Sequence, residues 1–466
     1  MKSRIAALLC LTVLVGAACG ARLSAQQRKV ALQAVSGGGG AGPGPFSTVA
    51  GPLPGASSTV GPAGATPSAG ASVGPGGTGA AACGNPATNK ATDVGVTPSQ
   101  ITIGTVSDLS GIQPGLFKST TDAVAAAAAY INSQGGICGR AVQDVPYDTG
   151  ETSSGDKAAT QDACAKSFAL VGSMSAFDDG GASVVDSCGI PDLTAITTNS
   201  QRAFAKNTYA VYQVRPDQYL QGTARFIKQK YGTSVVQHAA IMWLDSAVTK
   251  TNAQVRQKGE EENGYKFIYT KQVEVVETNY TSYVIQMKNA GVQYLTMVAD
   301  YQSIVRLCQA MQQQGWYPKV MDWDSVVYSP QFLQQANGAA NGSLFFINTA
   351  MLEEAAKNPE MQLYEQWLAR VAPSDKPDYF GLYAWSAARL FQMVATEVGP
   401  NLTRSAFFAK VKQVHAWNDH GLHATHDIGN KTASNCFLYG KVTTNAFVRF
   451  YPSSGWTCSY GPLLHE

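Results

Sequence analysis

Residues 101–111 read ITIGTVSDLSG and residues 120–136 read TTDAVAAAAAYINSQGG. The first is an apolar β-type run, Ile101 to Val106, that breaks into a Ser/Asp/Gly loop. The second is an alanine-rich helical stretch that Gly135 and Gly136 stop. The same pair recurs downstream. AVQDVPYDT (141–149) reads as a strand, and SSGDKAATQDACAKSFA (153–169) as a helix with Ser153 or Ser154 as its N-cap. FALVGSMSA (168–176) is a strand ending in small residues, GGASVVDSCG (180–189) a helix, and IPDLTAITTN (190–199) a strand with a polar end. Four strand–helix alternations at short spacing predict a parallel sheet with helices on both faces.

A second set follows. SVVQHAAIMWLDS (234–246), KFIYTKQVEVV (266–276), VQYLTMVAD (292–300) and YPKVMDWDS (317–325) read as strands with loops. Between them lie helices over roughly Asn252 to Asn263, YTSYVIQMKNAG (280–291) and SIVRLCQAMQQQG (303–315). The chain is therefore expected to be α/β, with two Rossmann-like lobes. GSLFFINTAM (342–351) comes next, then helices at MQLYEQWLARV (361–371), YAWSAARLFQMVATEV (383–398) and SAFFAKVKQV (405–414). NCFLYGKVTTNAFVRFYP (435–452) reads as a closing hairpin turning at TTN.

The N-terminus is of another kind. Lys2 and Arg4 precede an apolar run, Ile5 to Val15, of the length of a signal core and too short for a bilayer span. Gly16, Ala17 and Ala18 then lead to Cys19, which resembles a bacterial lipoprotein signal over residues 1–19 with Cys19 as the lipidated residue, although Gly16 stands where an aliphatic is usual. The alternative is an ordinary secretory signal cut near Ala18. Residues 20–95 include GGGGAGPGP (37–45) and GPLPGASSTVGPAGATPSAG (51–70), too poor in apolar side chains to build a core, and are expected to form a disordered tether. A flexible run of about 60 residues spans about 40 Å.

Export permits disulfides. Cys164 and Cys188 flank one strand–loop–helix unit, Cys436 and Cys458 flank the hairpin, and Cys83 and Cys138 make the third expected pair, leaving Cys308 as the buried free thiol. No C-x-x-C pair suggests zinc. Net charge is +2 with no basic run, which excludes nucleic acid as a partner.

ITIGTVSDLSG, AYINSQGGICGR, YDT, VGSMSA and GIPDLT, with IMWLDS, NYTSYVIQMKNAGVQYLTMVADY, MQQQGWYPKVMDWDS and FGLYAWSAARLF, resemble in order and spacing the leucine/isoleucine/valine-binding, receptor-type periplasmic binding proteins of ABC importers, over residues 96 to 466. The resemblance implies a type I periplasmic-binding fold with a three-stranded hinge. Lobe 1 would hold residues 96–214 and 346–432, and lobe 2 residues 215–345 and 433–466. Hinges are expected near Arg215-Pro216, Phe345 to Ile347 and Phe437 to Tyr439. It also implies an extracytoplasmic solute-binding protein, lipid-anchored to the outer face of the cell membrane or secreted. Such a protein captures an amino acid or amino-acid-like solute by lobe closure and delivers it to a permease. A sensing module of the same fold is the alternative.

Ligands of open α/β sheets bind at the carboxyl ends of strands. The ends here are small and polar, Ser107 to Gly111, Ser173 to Ala176 and Thr197 to Asn199, and suit a carboxylate. Each residue alone is as readily a loop former or helix cap. Ser110, Ser175, Ala176, Ile196 and Thr198 are the first-lobe candidates, with Ser175 and Thr198 expected to take the carboxylate. On the second lobe Asp324 matches the family's acidic position and would meet an amine. Phe117, Tyr301, Trp323 and Tyr383 would line the side-chain pocket, unless they are ordinary core aromatics. Val248 stands where the family carries an aromatic, and Asp178 and Asp179 are unusual beside the first-lobe site; both speak against simple branched-chain specificity. No G-x-S-x-G stands at a strand-to-helix elbow, and there is no H-E-x-x-H or P-loop, so no enzyme, cofactor or metal is expected, the histidines of HAWNDHGLHATH (415–426) reading as a loop.

Overall fold

A computed structural model describes residues 83–465. The signal, Cys19 and most of the tether lie outside the described residues. The first sheet has the order β2-β1-β3-β4, built from β1 (Gln100–Ser107), β2 (Ala141–Asp148), β3 (Ala169–Val171) and β4 (Asp192–Leu193), all parallel. Helix α1 (Lys118–Ser133) follows β1, α2 (Ser153–Lys166) follows β2, and α3 (Asp179–Cys188) follows β3. The cap of α2 is Thr152, not Ser153 or Ser154: its side chain accepts from Gly155 N, because Thr152 still has extended backbone there. The fourth strand keeps only two residues; beyond Leu193 the chain merely bridges Tyr212 at Ile196.

β3 stops at Gly172, whose φ is +66°. A Cβ there would lie 2.4 Å from Val124 Cγ2 and 3.2 Å from Ala384. Glycine thus lets α1 and the long helix α10 (Tyr379–Val398) close over the sheet.

The second sheet runs β12-β11-β10-β9-β8-β6-β7. Strands β6 (Ala239–Leu244), β7 (Phe267–Val273), β8 (Tyr294–Val298), β9 (Val320–Trp323) and β10 (Leu344–Ile347) are parallel; β11 (Leu438–Val442) and β12 (Phe447–Tyr451) add an antiparallel hairpin. A two-stranded ribbon, β5 (Gln218–Tyr219) with β13 (Leu464–His465), ties the C-terminus to this half. Its helices include α4 (Gln221–Tyr231), α5 (Ala247–Glu262), α6 (Thr281–Ala290), α7 (Tyr301–Gln313) and α8 (Pro330–Ala336). α5 begins at Ala247 under a Ser246 cap, five residues ahead of the sequence expectation. After β10 the chain returns through α9 (Pro359–Val371), α10 (Tyr379–Val398) and α11 (Arg404–Val411). α9 and α10 pack on α1 and so belong with the first sheet. This is the two-lobed type I architecture.

Residues 83–95, given to the tether by composition, are packed on the body. Asn89 Nδ2 donates to Cys138 O at 2.9 Å, Arg140 Nη2 donates to Lys90 O at 3.0 Å, and Arg404 N donates to Asp93 Oδ2 at 2.7 Å. The Cys83–Cys138 bridge holds the segment from its other end. Cys164–Cys188 and Cys436–Cys458 are also formed, and burial pushes the thiol of the free Cys308 up.

Candidate ligand-binding cleft

Where β1 ends, Asp108 turns inward and is fully buried. Its Oδ1 accepts the Ser175 hydroxyl at 2.6 Å, and its Oδ2 accepts the Ala176 N–H at 2.8 Å. Thr149 donates a third hydrogen bond. Burial raises the Asp108 pKa, and these donors hold part of the rise back. A second carboxylate acts alike one loop away. Asp178 accepts the N–H of Thr198 at 2.8 Å, and the N–H and side-chain amide of Asn199 at 2.9 Å each. Burial lifts its pKa to about 6 against the pull of the Arg202 charge. The Thr198 hydroxyl donates to Ser175 O at 2.6 Å. The strand-end donors expected to take a ligand carboxylate are thus engaged by Asp108 and Asp178. The occupied set was not foreseen, although Asp178 had drawn notice for its position.

Ser110 is exposed and donates through its N–H (3.1 Å) and hydroxyl (2.5 Å) to Asp148, outside the lining of either cavity. Phe117 is buried edge-on to Phe380, with ring centroids 5.1 Å apart, and Ile196 is core.

On the second lobe Asp324 follows β9 and is half-buried. Its Oδ1 accepts a hydrogen bond from Val326 N, at 2.9 Å, across the turn Ser325–Val327. Burial raises its pKa. The neighbouring Asp322 points the other way, into a buried network: Arg256 Nη2 reaches it at 3.0 Å, the Tyr294 hydroxyl at 3.0 Å and the Tyr439 hydroxyl at 3.3 Å. Strand alternation would put both acids on one face, but β9 ends at Trp323 and Asp324 already belongs to the following turn, so the two diverge. Trp323, between them, is fully buried, a core residue rather than a cleft one.

Tyr383 is buried too. It stacks on Tyr212 with centroids 5.3 Å apart, and its hydroxyl donates to Asn348 Oδ1 at 2.5 Å, beside that of Tyr379 at 2.9 Å. Asp324 lies close enough for its charge to help raise the pKa of Tyr212, to about 12, and of Tyr379, in each case behind burial as the main cause. Tyr212, Tyr379 and Asn348 escaped the sequence reading because they stand on three separated segments.

Two cavities open between the lobes. One, of about 230 Å³, takes Ala176, Thr198 and Asn199 from the first lobe, Ser246, Val248 and Asn252 from the second, and Val214 and Pro216 from the crossover. The other, of about 150 Å³, lies between Lys118, Asp122 and Phe380 on one side and Tyr301 and Val326 on the other. Ala176, Thr198 and Val248 therefore meet in one cavity, and Tyr301 lines the second.

Of the histidines near the C-terminus, His423 and His426 lie with ring centroids 5.1 Å apart, and each has a hydrogen-bond partner of its own. Burial holds His423 neutral, its pKa lowered to about 4, while its ring meets the Ser386 hydroxyl at 2.9 Å; His426 accepts Ser434 N at 3.1 Å; His415 pairs with Asp427 at 2.8 Å. Among the described residues, the grouping with metal-ligating spacing is Glu360, Asp419 and His420, within 4.8 Å of one another; Glu360 is already engaged by Arg389 and Trp385, each at 2.8 Å.

A family model described as periplasmic binding protein matches residues 100–446. No curated protein matches the chain. Among solved structures, a fatty acid ABC transporter substrate-binding protein from Thermomonospora curvata is similar at 17% identity and TM-score 0.68, over 80% of this chain and 96% of that one. A branched-chain amino acid transporter substrate-binding protein from Streptococcus pneumoniae, in complex with isoleucine, is similar at 13% and 0.64, over 75% and 98%. An ABC transporter solute-binding protein from R. palustris, in complex with 4-hydroxybenzoate, is similar at 15% and 0.63, over 76% and 96%. With a matched segment that takes in the first sheet, all but the last strand of the second and the residues that line the cleft, the chain belongs to the periplasmic binding protein family of solute-binding proteins.

Proposed function

We propose that this protein captures a small polar solute between its lobes and presents it to the permease of an ABC importer. The observation that carries the reading is the 230 Å³ cavity, walled by both lobes and by the Val214–Pro216 crossover. A solute held there touches both walls only when they are together, so binding shifts an open–closed equilibrium toward the closed form. The moving bodies would be residues 96–214 with 346–432, and 215–345 with 433–466. Ala176, Thr198 and Val248 would contact the solute directly, with Asp324 as the second-lobe acid. The same reading places the protein outside the cytoplasm, held to the membrane through Cys19. Among the described residues no helix is long and apolar enough to cross a membrane.

The test is a thermal-shift screen of small solutes, followed by small-angle scattering with each hit. A stabilising solute should shrink the radius of gyration. A solute that binds tightly without any contraction would remove lobe closure from the account.

A further inference from the structure

The loop 415–426 meets the start of α9, where Asn358, the cap of that helix, donates to Gly421 O at 2.8 Å. Asp419 in this loop is 1% exposed, and among the described residues neither of its carboxylate oxygens has a hydrogen-bond partner. The neighbouring Ser386 hydroxyl has no proton left to give it. His423 Nδ1 faces Ala424 O at 2.8 Å and so carries the ring proton; its Nε2 takes the Ser386 proton at 2.9 Å, and Trp417 Nε1 donates to the Ser386 oxygen at 2.9 Å. A buried carboxylate without donors is strongly disfavoured unless a cation meets it. Two further groups converge on the same place. Glu360, Asp419 and His420 each put one ligand atom within 4.8 Å of the others. Arg389 Nε and Trp385 Nε1 both bond to Glu360 Oε1, which leaves Oε2 for a ligand. His420 is exposed and opens the place to solvent. The fold holds the set from outside as well: Ala350 N donates to Leu422 O at 2.8 Å, and Ala424 N to Asn348 O at 2.7 Å. Asp419 and His420 keep φ of +45° and +56°, a left-handed backbone that two adjacent non-glycine residues adopt only under constraint.

We infer that Glu360, Asp419 and His420 bind a divalent transition-metal ion, represented by zinc, with water completing its coordination. One imidazole and two carboxylates suit such an ion, whereas calcium and magnesium prefer oxygen alone. Charge agrees, since the two carboxylates carry two negative charges and the Arg389 guanidinium offsets one. Metal–ligand bonds of about 2.1 Å put ligand atoms at most about 4.2 Å apart, so one ligand must move in by about half an ångström. The exposed His420 side chain is the one free to do so. The ion fastens the loop to α9. None of the three residues lines either cavity between the lobes, so the site is separate from solute capture and does not rest on it. It departs from the sequence reading of HAWNDHGLHATH as a loop without metal. That stretch supplies two of the ligands, and the third, Glu360, lies 59 residues before Asp419.

The experiment is calorimetry on the full, untagged chain, stripped with a chelator and titrated with zinc chloride, together with melting curves with and without the ion. One zinc ion per chain should bind with a Kd of about 10 μM or tighter, calcium should bind about tenfold more weakly or less, and zinc should raise the melting temperature. His420→Ala changes an exposed side chain and leaves the core alone; it should weaken zinc binding by about tenfold or more, and Asp419→Asn should do so too. His415→Ala, in the same stretch but outside the set, should leave zinc binding as it was. If Asp419→Asn melts too early to titrate, His420→Ala decides alone. Weaker zinc binding by the parent, or none, overturns the inference and leaves Asp419 a neutral acid sealed in the core. Binding that survives His420→Ala unchanged, or that calcium matches, overturns it as well.

Discussion

Arg256→Leu is expected to break the second lobe, and the break should be repaired by acid. Arg256 sits on α5 with its guanidinium buried between two buried carboxylates, Glu260 at 2.8 Å and Asp322 at 3.0 Å, and over the Phe346 ring at 5.7 Å. Leucine keeps the apolar contact and removes the charge. At neutral pH the two acids must then stay ionised without a partner or take up protons. Protonating a carboxyl of ordinary pKa at about pH 7.5 costs about 4–5 kcal/mol. Burial has already pushed Asp322 up to about 7, so its further share is small, and Glu260 dominates. The expected loss is about 3–5 kcal/mol, the range for a buried pair deprived of one member. The pH dependence follows in sign. In the variant the folded state holds protons that the unfolded chain releases, so stability rises as pH falls. By about pH 5 the Glu260 share should have shrunk by about 3 kcal/mol. Urea unfolding followed by tryptophan fluorescence at both pH values measures this. A loss under about 1 kcal/mol at pH 7.5, or a loss unchanged at pH 5, would refute the reasoning.

Three other outcomes are expected. Burial raises the pKa of Asp144, Asp156 and Asp322 to about 7, and of Asp178 and Asp378 to about 6, so the parent protein should itself lose stability as pH rises from about 4 to 7; denaturation midpoints that climb over that window would contradict it. Gly172→Val puts a branched side chain at a positive φ and 2.4 Å from Val124, and should cost about 2 kcal/mol or more, read as a lowered melting temperature; an unchanged melt would mean that α1 and α10 are not closely packed there. Cys19→Ala should move the protein from the membrane to the soluble fraction, and unchanged membrane association would end the lipid-anchor proposal.

The layout of the chain was legible because strand and helix periods differ and because glycine marks the ends of helices; β1, β2, α1 and the strands of the second sheet fall where their patterns place them. The short helix α8 was missed because its seven residues span under two turns, too few to show a period. The tether's end was misplaced because residues 83–95 are polar and owe their order to partners elsewhere in sequence, Arg140 and Arg404 among them. The site failed to read for the same reason in sharper form. Ser175, Ala176 and Thr198 are the right residue types for an anion, and local sequence supplies that much. Whether they remain available depends on Asp108, 67 residues before Ser175, and on Asp178, 20 before Thr198. Both look like loop aspartates in the linear text. Backbone N–H groups and hydroxyls at strand ends bind whichever carboxylate reaches them first, and one fixed in the fold has no translational freedom left to lose. The donors therefore do not by themselves name the ligand; the neighbouring acids decide whether this cleft is open to anions.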